Sequence, residues 1–125
     1  STLNSAHSAP NAWMTKLSGN YPDGTTANLY SPFFDVTNVT SATLKFWHKR
    51  KIGSGDQAYL QYSTDGGQTW ILLGYVSDPA ATNWYNTASG GNHFFSGAST
   101  GWVHSTYDLS AILATVTTPL QFRFQ

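Results

Sequence analysis

In the run Leu120-Gln121-Phe122-Arg123-Phe124-Gln125 every second residue is large and apolar, and every residue between is polar. Side chains of a strand point alternately to opposite faces, whereas a helix repeats every 3.6 residues, so this run can gather Leu120, Phe122 and Phe124 on one surface only as a strand. The same alternation occurs twice more. Residues 43–49 place Leu44, Phe46 and His48 on one face and Thr43, Lys45, Trp47 and Lys49 on the other. Residues 58–63 place Ala58, Leu60 and Tyr62 inward, and residues 70–73 read as a further strand after a turn. Composition agrees with strands. All six acids are Asp, 16 residues are Thr, and aromatics reach 15%. Residues that favour helix on a surface are scarce, which excludes a helical bundle or coiled coil. The chain of 125 residues is long enough for one domain with its own core. The expected class is all-β, with one short helical turn over residues 110–114, capped by Ser110 and bounded by Pro119.

Charge excludes whole classes of partner. Lys and Arg number 6 against 6 acids, and the only basic run, Lys49-Arg50-Lys51, is too short to follow a phosphate backbone, so no nucleic acid is expected. No apolar stretch approaches the roughly 20 residues that span a bilayer, so no membrane insertion is expected. The chain has no Cys, which rules out disulfides and thiolate chemistry. A surface rich in Ser, Thr and Asn and poor in charge points to a secreted or cell-surface protein.

Ser63-Thr64-Asp65-Gly66-Gly67-Gln68-Thr69-Trp70 fits S-x-D-x-G-x-T-W, the Asp box of sialidases and other β-proteins. Its chemistry is that of a hairpin turn: Asp65 accepts backbone N–H groups, Gly66 and Gly67 take positive φ, and Trp70 packs against the hairpin. A sialidase repeats the box and clamps its substrate with three arginines, whereas this chain has one box and only Arg50 and Arg123. Gly97-Ala98-Ser99-Thr100-Gly101 matches G-x-S-x-G, yet no helix pattern follows it, and a nucleophile elbow requires a strand-to-helix corner. The four His show no zinc spacing. Calcium is the open metal, with Asp56 as the candidate ligand at a strand entry after Gly53-Ser54-Gly55; a turn-capping role reads equally well from the same position.

Residues 77–101 read as a long loop rich in Gly, Ser, Asn and Ala, and long loops in compact domains tend to carry function. Trp84, Tyr85, Phe94 and Phe95 lie within it beside Asn83, Asn86, Asn92 and His93. Flat rings among amides suit stacking on a sugar or anchoring a peptide, so Trp84, Tyr85, Asn92, Phe94 and Phe95 form the expected ligand site. The alternative is that the rings fold back and close one end of the domain.

A longer-range likeness is carried by Trp13, then Asn28-Leu29-Tyr30-Ser31-Pro32-Phe33-Phe34-Asp35-Val36, then Ala42-Thr43-Leu44-Lys45-Phe46-Trp47-His48. Asp56 follows, then Tyr59 and the strand leading into the Asp box, then Ser96-Gly97, Gly101-Trp102, Tyr107-Asp108-Leu109-Ser110 and the terminal Phe-Arg-Phe strand. This order of blocks resembles the MAM-like jelly-roll modules of bacterial secreted proteins, as in immune-inhibitor-A-type metallopeptidases and choice-of-anchor domains. Eukaryotic MAM domains carry disulfides, so the likeness is to the bacterial branch. The resemblance implies a two-sheet antiparallel β-sandwich (jelly roll) over residues 1–125, excised from a larger secreted protein whose sheet continues past Gln125. It also implies calcium stabilisation and a non-catalytic accessory role.

The expected function is therefore adhesion or substrate targeting, with a polysaccharide or a cell-surface protein as partner beside the flanking domains of the parent chain. Two competing classes remain: a small secreted glycosidase or peptidase domain, and a purely structural spacer.

Overall fold

The structure, a computed structural model, describes residues 6–8, 11–16, 19 and 21–125. Its two largest sheets grow from the alternating segments. Thr43–His48 (β2) runs antiparallel to Val103–Asp108 (β10) over six residue pairs, from Thr43 opposite Asp108 to His48 opposite Val103. Ala81–Thr82 (β6) adds a third strand on the far side of β10. The other large sheet has the order β1-β11-β4-β5, from Leu29–Tyr30 (β1), Gln121–Phe124 (β11), Leu60–Ser63 (β4) and Ile71–Leu72 (β5). Two small ribbons complete the described strands: Lys51–Ile52 (β3) with Gly97–Ala98 (β9), and Thr87–Ser89 (β7) with Asn92–Phe94 (β8). Every pairing is antiparallel and no sheet closes on itself. The all-β class is correct.

The inward faces are those the alternation picks out. Leu60, Leu120 and Phe122 are buried, while Leu44, Phe46, Ala58, Tyr62 and Phe124 pack against the same cluster. Phe46 of β2 meets Phe124 of β11 edge-to-face at 4.9 Å, so the two large sheets share one apolar core. Helix is confined to Ser110–Leu113 (α1) among the described residues. Its cap differs from expectation. Leu109 occupies the N-cap position without a side-chain bond, and Asp108 Oδ1 instead accepts from the Ser110 amide at 2.9 Å and the Ser110 hydroxyl at 2.6 Å.

Residues 77–101 do not form a structureless loop. They contain β6, β7, β8 and β9, and Gly90 and Gly91, at φ of 58° and 83°, make the two-residue turn between β7 and β8. Strands this short escape a pattern reading because two or three residues cannot display a period.

The four rings of that segment are interior, which corrects their assignment as a ligand platform. Trp84, Tyr85, Phe94 and Phe95 are 8%, 4%, 6% and 4% exposed. Trp84 packs on Phe46, Tyr85, Phe95 and Tyr107 at centroid distances of 5.1 to 6.0 Å. Their polar tips find partners inside, which is why burial is tolerated: the Trp84 indole donates to the Leu73 carbonyl at 3.1 Å, and the Tyr85 hydroxyl donates to the Leu60 carbonyl at 3.1 Å. Asn92 is exposed at the end of the β7–β8 ribbon. A buried ring offers no face to a ligand.

Candidate functional site

The Asp box closes the β4–β5 hairpin and is occupied by its own atoms. Asp65 Oδ1 accepts from the amides of Gln68 at 3.0 Å and Thr69 at 2.9 Å and from the Ser63 hydroxyl at 2.7 Å, while Oδ2 takes the Thr69 hydroxyl at 2.6 Å. These donors favour the anion, the Thr69 hydroxyl most, and hold the carboxyl at about 2. Gly66 and Gly67 adopt φ of 77° and 88°, and the Trp70 indole donates to the Gly67 carbonyl at 3.1 Å. These contacts close the hairpin within the motif itself.

Asp56 also meets a neighbour of its own chain. Its Oδ2 accepts the Tyr21 hydroxyl at 2.5 Å, and Tyr21 in turn accepts the Gly53 amide at 3.3 Å. The hydrogen bond to this carboxylate raises the Tyr21 phenol above its ordinary value. Among the described residues no group of three or more His, Cys, Asp or Glu side chains gathers around a common point. Asp56 ties the loop after β3 to the segment before β1.

A serine and a histidine 57 residues apart do meet, a contact that no local pattern displays. His48 Nε2 lies 2.9 Å from Ser105 Oγ, and that hydroxyl donates to the Asn83 carbonyl at 2.6 Å. With its only proton on the carbonyl, Ser105 must accept from Nε2–H. Activation of a nucleophile needs the opposite polarity, and Ser105 is 0% exposed. Burial, assisted by the Arg50 charge, pulls the His48 imidazole down to about 4. Ser99 of the G-x-S-x-G string is spent on the β3–β9 ribbon, its hydroxyl accepting the Arg50 amide at 3.1 Å. Neither serine is arranged for attack.

One accessible aromatic lies on the outward face of the β2–β10 pair. Trp47 is 45% exposed. It stands opposite His104 in the β2–β10 register, with the two rings stacked at 4.7 Å and 21°. His7 stacks on the same indole at 3.8 Å and 14°. Two nearly parallel rings that close to one centroid cannot share a face, so the indole lies between the imidazoles. His7 also meets Trp102 edge-on at 5.8 Å. Trp47 and Trp102 thus form two walls of a notch, with His7 of the N-terminal segment seated in it. Comparison with family models, with curated proteins and with solved structures finds no match. The notch therefore rests on its own geometry. The outward period of residues 43–49 already put Trp47 outside, but the stacking of His7 and His104 on it, and the approach of Trp102 to His7, depend on tertiary structure.

Proposed function

We propose that the chain is a non-catalytic accessory module of a secreted protein that binds glycan through the Trp47–Trp102 notch. The observation carrying this reading is a half-exposed indole on a sheet face with a planar ring of its own chain stacked upon it. Exposing a large ring to water forfeits the gain that burial brings, and a flat π-face is suited to the apolar C–H face of a pyranose. His7 occupies the position that a sugar ring takes. The reading includes a jelly-roll sandwich as the finer architecture, supported by two antiparallel sheets around one core. It keeps calcium as a structural ion of the Asp56 loop, resting on that carboxylate alone. No described helix is long and apolar enough to cross a membrane.

Screening against glycans, followed by calorimetry on the strongest binder, tests the proposal. Trp47→Ala is expected to weaken binding by about 2 kcal/mol, roughly 30-fold, with little change in melting temperature because the ring lies outside the core. His7→Ala is expected to strengthen binding by removing the competing ring. Unaltered affinity in Trp47→Ala would discard the notch, and binding confined to protein ligands would move the partner to a cell-surface protein.

A further inference from the structure

The other large sheet presents a different surface to water. With Leu120, Phe122 and Phe124 on the core side of β11, Gln121, Arg123 and Gln125 lie on the outward side. Register places Tyr30 of β1 and Gln61 of β4 on either side of Arg123. The guanidinium lies over the Trp70 ring, 4.5 Å from its centroid, and Tyr30, 51% exposed, sits 5.6 Å from the same ring. Arg123 Nε donates to Gln61 Oε1 at 2.9 Å, and Nη2 contacts the same oxygen.

This arginine is held in place yet has no acid of its own. Two of its five N–H groups go to one neutral amide oxygen, and no carboxylate of the described residues pairs with it. All six acids lie within the described residues, and five of them hold hydrogen bonds elsewhere: Asp35 to Thr37, Asp56 to Tyr21, Asp65 within its box, Asp78 to Ala80 and Tyr107, and Asp108 to Ser110. A planar fork already oriented by an indole and an amide loses little freedom when it receives a planar, bidentate anion. The remaining outward groups of the sheet are neutral. Gln121 donates to the Ser31 carbonyl, while Gln125 joins Asn28 and the Tyr59 hydroxyl.

We propose that Arg123, with Trp70, Tyr30 and Gln61, forms a subsite for the carboxylate of an acidic saccharide. The single charge set among amides and phenols argues for a ligand whose negative groups are isolated on a hydroxyl-rich chain. An acidic peptide, dense in charge, asks for several cations. The subsite lies on the sheet other than that of the Trp47 notch and stands or falls separately from it.

Binding of the intact chain to a linear oligomer of galacturonic acid is compared with binding to the same oligomer after its carboxyls have been reduced to alcohols, and with a poly-glutamate peptide. The acid form should bind at least about tenfold more tightly than the reduced form. Arg123→Gln should erase that preference. Arg123→Lys keeps the charge but loses the fork and should retain only part of the preference; it also decides the matter if Arg123→Gln does not fold. Equal binding of the two oligomers, no binding of either, a preference for the peptide, or an unaltered preference in the folded Arg123→Lys and Arg123→Gln variants would overturn the proposal.

Discussion

At Leu60 the strand β4 has outrun its neighbour. Leu73 still donates to the Leu60 carbonyl at 2.9 Å, but β5 ends at Leu72, and the Leu60 amide faces away from β11, since the flanking pair Tyr59 and Gln125 exchange the hydrogen bonds there. The Tyr85 hydroxyl completes the strand by accepting that amide at 2.9 Å. Burial raises the Tyr85 phenol above its ordinary value, which keeps it protonated and able to donate as well as accept. Tyr85→Phe preserves the ring and strands the Leu60 N–H in the interior. The expected loss is about 1 to 3 kcal/mol, the usual consequence of an unpaired buried donor, read from urea denaturation. The ring's neighbours in sequence, Asn83 and Asn86, made it look wet. Its actual partner lies 25 residues upstream, and no local pattern could show that.

Among elements, the Asp box is the one whose role was fully legible, because the turn is closed by residues within the motif itself. Its carboxyl sits at about 2 in the folded chain against an ordinary 3.8, so the fold favours the anion. The stability this provides is complete above pH of about 4 and is lost as pH falls from there through about 2. Asp65→Asn should melt lower than the parent at neutral pH, and the gap should close across that acid interval; melting temperatures of both proteins against pH check it. The long strands β2, β4 and β11 were legible for a related reason: each alternates over enough residues to reveal its buried face. The ribbons β3–β9 and β7–β8 were not, since pairing with distant or turn-linked residues defines them. The same limit applied to the site. Trp47 could be placed outside from its period alone, whereas His104 reaches it only once β2 and β10 are aligned, and His7 only through the path of the N-terminal segment.

For the whole molecule, equal numbers of basic residues and acids mean that net charge contributes little repulsion near neutrality, so pH acts on stability through particular groups. His48 is the principal one above the carboxylate range. It projects inward from β2, rests against Phe46 and Phe95, and bonds Ser105 where β10 passes the Asn83 carbonyl, joining both large strands of its sheet to the end of β6. Its folded value of about 4 lies below the ordinary 6.5, so the fold favours the neutral ring. An unfolded chain takes up that proton first. Stability from this group is therefore intact above pH 6.5, declines as pH falls towards about 4, and changes no further below it. The interval lies above that of Asp65, so acid should weaken the molecule in two separate stages. His48→Gln retains an N–H that can reach Ser105 but cannot titrate. Its melting temperature should fall less than the parent's between pH 6.5 and 4, while His7, His93 and His104 remain in both proteins and cancel in the difference. Parallel melting curves across that range would show that His48 does not govern the first stage.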